Sequence, residues 1–152
     1  MSPTLPPSWS APLTSLALGP FWLLLAGLTL KFLVLTILQG LRRSRTHTFR
    51  WPEDARHWGG TVVADEDPLC VRTQAALRND GESQPLFVAA TALWIAAGAP
   101  ATLAYPVVTA YLALRMVHSS LLLLPRQPLR NRIFGLSVLL LLAVLGDACR
   151  RL

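Results

Sequence analysis

The chain has 152 residues, 53% of them hydrophobic and only 14% charged, and its mean hydropathy is +0.45. Soluble domains average about 25% charged residues, and a chain this apolar and poor in charge is not intrinsically disordered. The net charge of +6 and pI near 10.7 would suit a nucleic-acid binder, but the basic residues are nearly all Arg and fall between long apolar runs, which points to a membrane protein with no nucleic-acid partner.

In chain order, a Pro-rich stretch at residues 3–12 reads as a flexible tail. Residues 13–41 form an apolar run with Lys31 as its one charge, long enough for the roughly 20 residues a spanning helix needs. It has no basic leader and exceeds the short apolar region of a signal peptide, so it reads as a span. A connection over 42–67 holds Trp51, Pro52, Trp58, Gly59 and Gly60. Trp favours the headgroup level, so this loop is expected to be ordered and interfacial. Apolar segments follow at 68–97, 101–124 and 130–149, the first two separated at Gly98-Ala99-Pro100. The expected fold is all-α, one domain over 1–152, an integral membrane antiparallel four-helix bundle.

Arginine placement sets the orientation. The first connection carries Arg42, Arg43, Arg45, Arg50 and Arg56, and the third carries Arg126, Arg130 and Arg132. The N-terminus and second connection carry no Lys or Arg. The positive-inside rule therefore puts the 42–67 loop in the cytoplasm and both termini on the other side. Cys70 and Cys149 then fall near opposite membrane faces, too far apart for a disulfide and too few for a zinc site.

Ionisable residues inside spans are costly and point to function by default. Segment two opens with Arg72, Arg78, Asn79, Asp80 and Glu82, and the spacing lets Arg78, Asn79 and Glu82 share a helix face. Arg115 and His118 lie three apart on segment three, Arg42 and Arg43 end segment one, and Arg130, Asn131 and Arg132 open segment four. The orientation gathers them toward the cytoplasmic half. Guanidiniums with a carboxylate, an amide and an imidazole would suit a small polar anion such as glutathione, which has two carboxylates, an ammonium, two amides and a thiol. An Arg beside the sulfur would favour the nucleophilic thiolate. The competing reading is structural: Arg78–Glu82 as a buried pair, Arg115 neutralising Glu82, and His118 as an interhelical polar contact. Lys31 reads as bundle-facing or snorkelling, and Asp147 as a partner of Arg150 or Arg151. Asn79-Asp80-Gly81 is locally a turn signal, in conflict with a helix there.

Arg78-Asn79-Asp80-Gly81-Glu82, with Pro85 and Phe87, resembles the Arg-Asn-x-x-Glu-x-x-x-Pro signature on the second helix of the MAPEG family, the membrane-associated proteins of eicosanoid and glutathione metabolism. Within it, Lys31, the 49–60 loop, Arg115-x-x-His118 and Pro128-Leu129-Arg130 look most like the microsomal prostaglandin E synthase type 1 branch. The resemblance runs from about residue 15 to the C-terminus. It implies a homotrimer with glutathione bound between subunits, contacted by Arg43, Arg78, Asn79, Glu82, His118 and Arg130, with Arg115 beside Glu82. Arg130 matches the arginine assigned to the thiol, and Asp54 a loop aspartate assigned to isomerase chemistry. Two positions depart: Leu122 replaces a tyrosine, and Asn131 replaces a serine near the sulfur, where an amide can still donate. The implied activity is a glutathione-dependent transferase, peroxidase or isomerase acting on a lipophilic substrate from the bilayer. The alternative is a non-catalytic membrane protein on the same scaffold. Arg-, Leu- and Ala-rich composition favours a bacterial inner membrane over the endoplasmic reticulum.

Overall fold

The computed structural model describes residues 15–124 and 126–152; the Pro-rich stretch at 3–12 lies outside them. Among the described residues there are five helices and one short strand pair: α1 (Ser15–Thr46), β1 (Thr48–Phe49), α2 (Pro52–Trp58), β2 (Thr61–Val62), α3 (Pro68–Ala96), α4 (Ala101–Leu123) and α5 (Gln127–Arg151). Four of the helices are long. The central pair, α3 and α4, touch each other, and each also packs against α1 and α5.

Apolar stripes at helical spacing explain the packing. Leu24, Leu28, Lys31 and Leu35 on α1 face inward, as do Ala104, Val108, Tyr111, Arg115 and His118 on α4. Steps of three and four residues keep each set on one face. Phe87 of α3 stacks flat on Tyr111, with ring centroids 3.5 Å apart, and Trp94, Val144 and Ala148 extend the same core. Gly27 lets α4 approach closely, since a β-carbon there would lie 2.8 Å from both Leu112 methyls. The outer surface is apolar too, with Trp22, Leu30, Ile37, Leu93 and Leu139 all more than half exposed.

Three helices, over Leu18–Thr46, Ala101–Leu123 and Gln127–Arg151, are long and apolar enough to cross a membrane. Helix α3 falls short on composition because Arg72, Arg78, Asp80 and Glu82 crowd its first half. It nonetheless runs unbroken through Asn79-Asp80-Gly81 and past Pro85, so tertiary ties override the local turn preference. Asp67 caps it, accepting from Leu69 N at 2.9 Å, and Pro68 occupies the first turn, where its missing N–H costs nothing.

The helix boundaries differ from hydropathy alone in three places. Helix α1 continues past residue 41 to Thr46, its last turns closed by Ser44 and Thr46 hydroxyls bonding back to Gly40 O and Arg42 O. Helix α5 starts at Gln127, ahead of Pro128, a residue tolerated in a first turn. The 42–67 connection contains a fifth helix, α2. Pro52, Glu53 and Asp54 open it and Gly59, at φ 66°, closes it, start and stop chemistry that an apolar count does not register. The loop is ordered as expected, with β1 and β2 pairing in parallel, Thr48 against Thr61. Trp51 and Trp58 stay exposed. Ion pairs of 2.9 Å from Arg42 to Asp67 and from Arg43 to Glu66 tie the loop's end back to α1. Both cysteines are free.

Gly60 is enclosed by the Phe49 ring and the His47 carbonyl, which accepts from Thr61 N at 2.9 Å. Gly60→Ala should therefore cost about 1–3 kcal/mol of local stability. Limited proteolysis should cleave 47–63 faster while helical circular dichroism stays unchanged; parental cleavage rates would refute this. The Arg42 guanidinium, hydrogen-bonded to Asp67, holds that carboxyl below its ordinary value. The tie is then complete above the ordinary carboxylate range and is lost only as pH falls through the lowered folded value. Acidification should accordingly speed cleavage at 59–67, and Arg42→Met should show the raised rate already at neutral pH.

Candidate functional site

Three helices contribute one charged residue each to the interior at a common level. Lys31 Nζ of α1 and Arg115 Nη2 of α4 both bind Asp80 Oδ1 of α3, each at 2.7 Å. All three are buried, at 4%, 1% and 6% exposure for Lys31, Arg115 and Asp80. The same Arg115 Nη2 donates to Asn79 Oδ1 at 2.8 Å. Lys31 is thus bundle-facing, one of the two readings its sequence context allowed. The partner of Arg115 is Asp80, not Glu82 as expected. Two residues on a helix are about 200° apart, so Asp80 points inward while Glu82 points out. The Arg78–Glu82 pair is correspondingly exposed, 83% and 68% at the side chains, and loose at 3.8 Å. It is not the buried pair considered from sequence.

Beside this cluster lies a cavity of about 300 Å³ walled by α3, α4 and the start of α5. Arg78, Asn79 and Glu82 line it from α3, His118 and Leu122 from α4, and Arg130 and Asn131 from α5. Two guanidiniums face one carboxylate, with two amides and an imidazole between them. His118 is buried against Phe134, ring centroids 5.8 Å apart, and its Nδ1 has no partner among the described residues. A donor-rich wall with one carboxylate suits a small anion that also carries an ammonium.

Six of the nine residues expected to act together meet in this cavity: Arg78, Asn79, Glu82, His118, Arg130 and Asn131. Arg43 and Asp54 do not. They line a separate hollow of about 380 Å³, with Ser44, His47 and Trp58 around the end of α1 and α2, and Arg43 is already engaged by Glu66. Arg115 lines neither hollow. Asp80 and Glu66 were missed as partners from sequence. Asp80 sits four residues after buried Ala76 and seven before buried Phe87, a register that marks it as inward-facing; Glu66 has no such signal. Asp147 pairs with Arg150 and Arg151 as expected, and also accepts from Trp94 Nε1 at 2.7 Å.

The MAPEG family matches residues 20–149. The chain belongs to the MAPEG family. The match covers nearly all of the helical body, and with three helices fit to cross a bilayer it makes this an integral membrane protein. It is a match to the family as a whole, which includes both glutathione-dependent enzymes and non-catalytic members, and it does not single out the prostaglandin E synthase branch. No curated protein matches the chain.

In this MAPEG protein the buried cluster makes a stability prediction. Removing one member of a buried ion cluster strands the others and typically costs about 3–5 kcal/mol, whereas replacing all members by apolar residues is often neutral. Asp80→Leu should therefore destabilise by that amount in detergent unfolding, and the triple change Lys31→Met, Asp80→Leu, Arg115→Met should recover most of it. A triple variant as unstable as the single would place the cost elsewhere.

Proposed function

We propose that this protein is a glutathione-dependent membrane enzyme, a transferase, peroxidase or isomerase, acting on a lipophilic substrate delivered through the bilayer. The observation that carries the reading is the α3–α4–α5 cavity, where Arg78 and Arg130 outnumber Glu82 and amides fill the gaps. Glutathione would supply a nucleophilic thiol. Its anionic groups outnumber its one ammonium, as Arg78 and Arg130 outnumber Glu82 on the wall. Arg130 favours the thiolate by charge pairing, with Asn131 as a neighbouring donor. Glu82 takes the ammonium, while Arg78, Asn79 and His118 hold the peptide portion.

The reading includes a homotrimer in which a second copy completes the site. Arg78 and Glu82 are largely exposed, a costly arrangement in lipid that a neighbouring subunit would relieve. Arg43 and Asp54, remote from the cavity in their own protomer, would then face the ligand from the next, Asp54 acting in an isomerase step. The four long helices would span the membrane as an antiparallel bundle, with the Arg-rich 42–67 loop cytoplasmic and both termini opposite, in a bacterial inner membrane.

A non-catalytic role on the same scaffold is the second reading. It is favoured by Leu122, which places a methyl-bearing wall where a hydroxyl would serve a polar ligand. Ligand that binds only the folded state must raise its melting temperature. Millimolar glutathione should therefore stabilise the purified protein, and conjugation of a generic electrophile should fall about 10²–10³-fold in Arg130→Ala with the oligomer intact. No thermal shift would favour the second reading, and full activity in Arg130→Ala would remove Arg130 from its role.

A further inference from the structure

Arg115 is sealed in the interior at 1% exposure and lines neither polar hollow, yet one of its nitrogens reaches the wall of the cavity. Arg115 Nη2 donates both to Asp80 Oδ1 at 2.7 Å and to Asn79 Oδ1 at 2.8 Å. Asp80 is held in turn by Lys31 through the same oxygen. A guanidinium has no acceptor atom. The carboxamide atom facing it must therefore be the oxygen, because a flipped Asn79 would set its NH₂ against the Arg115 N–H groups. Asn79 Nδ2, by contrast, makes no hydrogen bond among the described residues, and Asn79 lines the cavity with Arg78 and Glu82.

We propose that Arg115 is a positioning residue that locks the Asn79 carboxamide with its NH₂ turned to the cavity, so that Asn79 serves as a donor to an acceptor group of bound glutathione. This rests on the reading of the cavity as a glutathione site. The Lys31–Asp80 pair fixes Arg115, Arg115 fixes Asn79, and Asn79 meets the ligand. The buried cluster thereby sets the polarity of one point on the wall, making it select a carboxylate, carbonyl or thiolate over a donor such as the ammonium.

The test is glutathione affinity, measured by titration calorimetry on the full-length protein in detergent. Asn79→Asp keeps an acceptor for Arg115 but replaces the donor with a negative charge. It should weaken glutathione binding at least tenfold, as expected for the loss of one hydrogen bond to a charged group, while melting at or near the parental temperature. Unchanged or tighter binding by Asn79→Asp would overturn the proposal. In a double-mutant cycle, Arg115→Met and Asn79→Ala should each weaken binding about tenfold, and the combination should do no more than either alone, because one acts through the other. Multiplying losses of about a hundredfold would overturn it, since Arg115 would then act by general disruption or direct contact. If Arg115→Met does not fold, Asn79→Asp decides alone. Failure of the parental protein to bind glutathione would refute the site reading itself and the proposal with it. Parental binding with an indifferent Asn79→Asp refutes only the proposal.

Discussion

The rest of the structure depends on one carboxylate oxygen, Asp80 Oδ1, which binds Lys31 and Arg115 together at 2.7 Å each. Two cations and one anion out of water are expensive unless mutually satisfied, so the three helices carrying them are held in a single relative register. A slide of one helical turn along α1 or α4 would leave buried charge unpaired, a penalty that apolar stripes of interchangeable Leu, Val and Ala do not impose. Arg115 Nε and Nη1 have no partner among the described residues, so the cluster is not fully satisfied and acts more as a specifier of geometry than as a net source of stability.

Helix α3 shows how the same few residues serve two environments. Asp80 faces inward, while Arg78 and Glu82, two residues away on either side, face out and stay exposed. Asn79, between these faces, touches both the buried Arg115 and the cavity. This division explains why α3 is too charged to qualify as a simple apolar span. Its later half, from Phe87 to Ile95, returns to an ordinary buried stripe. The charged half of α3 thus lies at the end of the helices near the Arg-rich loop.

The long helices were legible because burial of apolar stripes dominates their energetics, and 68–97 and 101–124 were placed within a residue of the observed ends. The short α2 was not, since its seven residues rest on Pro52, its acidic first turn and Gly59 instead of on an apolar run. The cavity residues Arg78, Asn79, Glu82, His118, Arg130 and Asn131 were legible because polar residues within or beside long apolar segments are rare enough to stand out. Their pairing was less so. Choosing Asp80 over Glu82 for Arg115 requires the rotational phase of α3, and the local turn signal at Asn79-Asp80-Gly81 obscured that phase. The separation of Arg43 and Asp54 from the cavity was beyond reach, because it depends on where α1 ends and how the loop folds back through Glu66 and Asp67.

The basic surplus of the chain has a corresponding logic. Five of its acids each hold at least one guanidinium or ammonium: Glu66, Asp67, Asp80, Glu82 and Asp147. Most of the basic side chains left over stand in the 42–67 loop and at the start of α5, where Arg130 and Arg132 sit in or near the first turn with no acidic residue among them. A helix N-terminus carries about half a positive charge and favours anions. Arginines placed there add to that potential instead of compensating it, which costs stability in the isolated helix. A bound anion would offset that cost, and the Arg130 end of α5 opens on the cavity that Arg78 and Asn79 share. On the proposed reading, a ligand of negative charge would offset the unfavourable basic start of α5, whose arginines also fit the positive-inside pattern.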